Sequence, residues 1–363
     1  MAVLGPSGQL YVLRNSIGPE AISWVEELDP STLEERHRSP DLALGPFWPG
    51  GVAVLDDGSI LVVQGRWAHR LSKDLVVLAS RRLPVEAPYN SFVLLADGTV
   101  ATKDIQRPGG PPSTLSLLDP ETLADRTGPV ALPEASVARL SALDNELIVI
   151  GVNTMSRHRW TPETASLAHR PDLDAHYLLY PDQSFGWDAV VDADAIWWLD
   201  NGDHTFERTL SMLDNGVSAG PVRLWRSALD GSTLDHVEVC GLPGGSVTNP
   251  PLVDPKRGLV LGYDSANGHL TAFDTASLAV VWTRPINTAQ HLMRFADTGE
   301  VIANDHHPTE GDSLVVLDIA TGETRVRVPV ESPAQSVVFG APGPQRDIYY
   351  LSLSTIARVV FDE

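Results

Sequence analysis

One short turn recurs along the chain at a nearly fixed interval, and it constrains the fold more than any other feature. It reads LDPSTLE from Leu28, LSKDLVV from Leu71, LDPETLA from Leu118 and WTPETAS from Trp160. It returns as LDGSTLD from Leu229, FDTASLA from Phe273, LDIATGE from Leu317 and FDE from Phe361. The second residue of each falls at 29, 72, 119, 161, 230, 274, 318 and 362, which gives spacings of 43, 47, 42, 69, 44, 44 and 44. A period in the forties, built on strands and tight turns, predicts propeller blades. The one long spacing places an insertion of about 25 residues around Gly202–Gly220.

A second signal lies upstream of each turn. VAVLDDGSILVV, FVLLADGTVATK, ARLSALDNELIVI, AVVDADAIWWL, LVDPKRGLVLGY and MRFADTGEVIAN are all strand–turn–strand, with Asp, Gly or Asn at the hairpin. The second strand of each pair is nearly all apolar, as an inner strand covered on both sides must be. Each unit is then four strands, A to D from the centre outward. No stretch sustains a 3.6-residue period, and Gly and Pro recur too often for long helices. The expectation is all-β: one domain over residues 1–363, an eight-bladed β-propeller of four-stranded antiparallel blades, with the insertion as a lid loop at about 202–220. The last unit stops at its C–D turn, so either the last blade has three strands or the sequence given is trimmed there.

The hydrophobic fraction, 43%, is ordinary for a chain with a sizeable core. The formal charge of −21 repels nucleic acid and anionic membrane surfaces, and favours cations or basic partners. A single cysteine, Cys240, excludes an internal disulfide and a thiolate metal cluster; it reads as a small buried residue. The start, MAVLGPSGQL, has neither a basic region nor a long apolar core, and no apolar run is long enough to cross a membrane. A cytoplasmic location is expected.

The repeats resemble those of the YVTN and PQQ-like propellers, most clearly in LVVLDIATGETRVRVPVESPAQSVVF from Leu314. The resemblance spans the chain in repeat shape and implies the propeller fold, which serves enzymes and scaffolds alike.

Strand A starts at one face and strand B returns to it, so A starts, B ends and B–C loops share that face around the channel. From A starts come Asn90, Ser91, Trp187, Asp188, Asn249, Gln290, His291, Gln335 and Ser336. From B ends come Lys103, Asp104, Asp200, Asn201, Asp264, Ser265, Asn304, Asp305 and His306. A residue that recurs in register serves the blade. By that criterion Asp29, Asp119, Asp274 and Asp318 are turn formers, and His69 and His158, both three positions before their turn, are structural. The shared-face residues do not match one another. They also divide by sign: Arg66, Lys103, Arg107 and Arg157 in blades 2 to 4, against Asp188, Asp200, Asp203, Asp264, Asp305 and His306 in blades 5 to 7. Arg66 and Arg157 read as solvated loop charges. Lys103 and Asp104 end an inner strand, where a charge must find partners or water.

These residues suggest a small-molecule enzyme at the channel mouth. His291 and His306, with Lys103 and Asp104, are the acid/base candidates. Asn90, Trp187, Asn201, Asn249, Gln335 and Arg107 are candidates for holding a substrate, one with an anionic group included. Asp188, Asp264 and Asp305 are candidates for one divalent metal, Ca, Mg, Mn, Fe or Zn. The set Asn90, Asp188 and Asn249 is similar to the calcium site of gluconolactonase and paraoxonase-like propellers, though those have six blades and no glutamate stands at a matching position here. Hydrolase (lactonase or esterase) and lyase chemistry both fit. The alternative is a non-catalytic scaffold that binds a protein partner. A PQQ-dependent dehydrogenase ranks last, because the chain has no vicinal cysteines and its tryptophans share no register. His307–Asp312 reads as ordinary loop.

Overall fold

A computed structural model describes residues 1–16, 21–45, 50–202, 218–338 and 340–361. The chain is an eight-bladed β-propeller of antiparallel sheets in which consecutive strands pair as neighbours. Seven blades have strands A to D, and the eighth has A to C among the described residues.

Two compact units divide the blades. The first holds residues 1–149 and 156–170, and with them blades 1 to 3 and most of blade 4. Blade 2 is representative: Gly51–Val54, Ile60–Gln64, Trp67–Leu71 and Val77–Arg82. The second unit, residues 150–155 and 171–363, holds blades 5 to 8. Blade 7 runs Met293–Phe295, Glu300–His307, Gly311–Asp318 and Thr324–Pro329. Blade 8 runs Ala341–Pro342, Ile348–Leu351 and Ile356–Val359. Much of the insertion, 203–217, with Asp203, His204, Phe206 and Met212, lies outside the described residues.

The B strands are the core. Ile60–Gln64 in blade 2, Ala195–Leu199 in blade 5 and Ile348–Leu351 in blade 8 are buried at every residue. Their alternate side chains enter hydrophobic clusters on opposite faces: Ile60 and Val62 in one, Leu61 and Val63 in another.

The recurring turn is one structure repeated. In blades 1, 3 and 7 the marker aspartate accepts the N–H groups two and three residues on, at 2.7–3.1 Å. Its own C=O accepts the N–H four residues on, from Leu33, Leu123 and Gly322. That fourth residue is left-handed: φ is 62° at Leu33, 57° at Leu123 and 68° at Gly322. Only Gly takes this conformation without steric cost, and Leu123 offsets the cost with a fully buried side chain. An arginine seven residues after the aspartate closes the unit, as Arg36 on Asp29, Arg126 on Asp119 and Arg325 on Asp318.

Candidate functional site

The opposite ends of the blades carry a different set of carboxylates, and they are buried. In blade 3, Asp104 accepts the Thr114 N–H and the Gln106 amide. In blade 5, Asp200 is held by the Arg223 N–H at 2.6 Å, the Trp225 indole at 3.0 Å and the Gln183 amide at 2.7 Å. Burial pushes its pKa up to about 7, against those donors. In blade 6, Asp264 accepts the Ser246 and Asn267 N–H groups and the Asn267 amide. The Cys240 thiol points at the same carboxyl, and burial pushes that thiol up to about 11.

Blade 7 departs from this pattern. Asn304 is fully buried, and its Oδ1 accepts from the Thr288 hydroxyl and the Ala289 and Gln290 N–H groups. Its Nδ2 donates to both oxygens of Asp312, at 2.9 and 3.0 Å. Asp312 also accepts from the Tyr350 hydroxyl at 2.6 Å and the Ser336 N–H at 2.7 Å. Burial raises the Asp312 pKa, and those donors and the nearby His306 oppose the rise. The expected loop is therefore shorter than the sequence suggests. Strand B continues to His307 and strand C begins at Gly311, so Asp312 pairs with His306 across the ladder.

His306 is half-buried, and its ring Nδ1 is buried with no hydrogen-bond partner. Its N–H donates to the Asn287 C=O at 2.9 Å. The Gln335 amide Nε2 donates to the same oxygen at 3.2 Å, which leaves Gln335 Oε1 as a buried acceptor without a donor. Asp305 accepts the Asn287 N–H at 2.8 Å and pairs with Arg327 at 2.6 Å. Thus Asp305, His306 and Gln335 converge on Asn287, and two of the three carry an unsatisfied buried atom.

The other residues singled out from sequence are distributed as follows. Asn249 bridges segments of the second unit, donating to the C=O groups of Ala289 at 2.7 Å and Val337 at 3.2 Å. The Tyr263 hydroxyl binds the Asn249 backbone and is pushed up to about 12 by burial, with the Asp188 carboxylate adding to the rise. Trp187 packs against Phe185. Asn201 is left-handed, with φ of 59°, and holds Ser184 and Pro221. His291 is half-buried at the start of blade 7. Lys103, Asp104, Asn90 and Arg107 belong to the first unit. There the buried Lys103 ammonium donates to the Ser136 C=O at 2.9 Å, Asn90 reaches Val137 O, and Arg107 is exposed. Arg66 and Arg157 are paired with Glu86 and Glu146. His69 is held between Ser80 and Ala43, and His158 stacks on His169. Among the described residues no three His, Cys, Asp or Glu side chains gather as a metal site. Asp264 and Asp305 direct their oxygens at the protein's own donors.

No family model matches the chain, and no curated protein matches it in sequence. Solved structures do match. BamB from Moraxella catarrhalis is 14% identical over 85% of this chain and 84% of its own, with a TM-score of 0.55. A streptogramin B lyase is 10% identical over 87% and 94%, with a TM-score of 0.56. Apo AztD from Citrobacter koseri is 11% identical over 93% and 88%, with a TM-score of 0.54. The likeness is one of fold. It agrees with the propeller resemblance carried by the repeats, and it assigns no residue.

Sequence reasoning missed Asp312, Tyr350 and Asn287. Asp312 lies two residues beyond Glu310 at the head of strand C, and its burial depends on a tyrosine from the next blade. Chemically, the blade 7 cluster offers an imidazole nitrogen for proton transfer, a carboxyl beside it, and an amide oxygen to accept a hydrogen bond.

Proposed function

We propose that the chain is an enzyme that acts on a small molecule at the B-strand end of blade 7, by proton transfer through His306. The observation that carries this reading is the buried, unpartnered Nδ1 of His306, which pairs with Asp312 across the ladder and whose backbone N–H shares the Asn287 C=O with the Gln335 amide. Buried polar groups are normally hydrogen-bonded, and an orphan suits a reacting group. Imidazole changes charge near neutrality and can both take and return a proton. Asp312 would stabilise the imidazolium across the strand pair. Gln335 Oε1 would accept an N–H or O–H of the substrate.

Two reaction classes use the same proton chemistry. For an ester or lactone, His306 takes a proton from the attacking water and returns it to the leaving oxygen. For an elimination, it takes the proton beside the bond that breaks, the C–H electron pair forms the new double bond, and the imidazolium returns the proton to the departing oxygen. A streptogramin B lyase shares the fold, which lends the elimination some support. The proposal rests on protein groups and not on a metal.

The test is turnover of a panel of lactones, aryl esters and cyclic esters by wild type and His306→Gln. Loss of a general acid/base costs about 10²- to 10⁴-fold, so kcat/KM should fall by that factor with the melting temperature unchanged. Equal turnover by the variant contradicts the role of His306. A wild type inert toward every member contradicts the enzyme reading.

A further inference from the structure

The sequence holds three Asn–Gly dipeptides, at 201–202, 215–216 and 267–268. An asparagine side chain before glycine is open to attack by the next backbone nitrogen, because glycine has no Cβ to hinder it. Asn215 and Gly216 lie outside the described residues. The other two dipeptides follow the B strands of blades 5 and 6, and the fold treats them in opposite ways.

Asn201 is locked. It is fully buried, its Oδ1 accepts the Ser184 N–H at 2.9 Å, and its Nδ2 donates to the Gly220 and Pro221 C=O groups. The Gly202 N–H donates to the Phe185 C=O at 3.1 Å, and the Trp187 and Phe185 rings crowd that glycine. Asn267 is half-buried in the B–C turn of blade 6. Its side chain is held through Nδ2, by Asp264 at 2.8 Å and the Pro243 C=O at 3.2 Å. The Gly268 N–H has no acceptor among the described residues. A side chain at Gly268 would meet only Asn287 Cβ, at 3.8 Å. His269 Nδ1 donates to the Asn267 C=O at 2.7 Å. That carbonyl and the Gly268 N–H belong to one amide, so the bond draws electron density from the nitrogen and makes its proton easier to lose.

We propose that Asn267 is a site of spontaneous deamidation, and that the fold protects Asn201. The Gly268 nitrogen attacks Asn267 Cγ and the Cγ–Nδ2 bond breaks. Ammonia leaves, carrying the Gly268 proton by way of water. Water then opens the cyclic imide at either carbonyl, to give aspartate or isoaspartate. Both hydrogen bonds of the amide are lost, and a new carboxylate stands against Asp264. The turn also borders Asn287, on which Asp305, His306 and Gln335 converge, so the added charge lies beside the blade 7 cluster.

The test is peptide mapping by mass spectrometry of the wild-type chain, incubated folded at mildly alkaline pH. The peptide with Asn267 should convert at least about tenfold faster than the one with Asn201. In strong denaturant that gap should close. His269→Phe should slow conversion at Asn267 by about two- to tenfold, the worth of one hydrogen bond. Asn267→Asp, which mimics one product, should melt at least about 2 °C lower than wild type. Folded protein in which Asn267 stays intact, or converts no faster than Asn201, overturns the proposal. So does a gap that persists in denaturant, since the fold would then not be its cause. The wild-type map decides the matter even if the variants fail to fold.

Discussion

The two ends of the blades both use aspartates, in opposite ways. At the C–D turns the aspartates sit at the surface, each closing a turn of its own blade. Asp29 is lowered to about 2, first by the Thr32 and Ser31 N–H groups and then by Arg36. At the B-strand ends the carboxyls are buried and reach other segments, and burial raises Asp200 and Asp312. The first set is interchangeable from blade to blade. The second is not, since each carboxyl there answers to different donors. A feature copied in every repeat builds the repeat, while one that differs in each blade is free to carry chemistry.

The largest effect that would sharpen this contrast is at Asn304. Asn304→Leu strands three donors and leaves Asp312 one donor short. Each unsatisfied buried group costs about 1–3 kcal/mol, so a loss of at least about 3 kcal/mol is expected by chemical denaturation. Tyr263→Phe should follow, at about 2 kcal/mol, because the Thr248 and Asn249 N–H groups lose their acceptor. Next comes a pH effect. The Asp200 pKa rises from 3.8 to about 7, so the folded chain keeps a proton that the unfolded chain has released. Its contribution is greatest below about pH 4 and is lost as pH rises toward 7. Melting curves of Asp200→Asn should lack that fall. The smallest effect belongs to the turns. Asp119→Asn should move the melting temperature by no more than about 2 °C. Asp29 has the reverse pH sign: its contribution holds above about pH 4 and fades as pH falls toward 2. A turn variant that cost more than Asn304→Leu would break the comparison.

The turns were legible because their chemistry is local. Asp29 binds the N–H groups of Ser31 and Thr32, and the same few residues repeat seven more times with variations. The arginine seven residues on was not read from the sequence; its ion pairs with the turn aspartates show what it does. The blade count and the apolar B strands followed from the same period. The blade 7 site was half legible. That a polar run ending an inner strand needs partners follows from burial alone, and Asn304, Asp305 and His306 were found that way. Their partners Asn287, Asp312, Gln335 and Tyr350 come from four other segments. No local pattern links residues that meet only through folding, so Asp312 passed for loop. Lys103 and Asp104 show the converse: their exposed-looking charges are satisfied by Ser136 O, Thr114 N–H and Gln106.

The central claim is that function lies at the non-repeating end, at His306. The most direct measurement is the pH dependence of kcat/KM for wild type, His306→Gln and Asp119→Asn on the best substrate of the panel. The account predicts a wild-type profile that Asp119→Asn keeps and that His306→Gln loses together with most of the activity. A His306→Gln enzyme with the wild-type rate and the wild-type profile would contradict it.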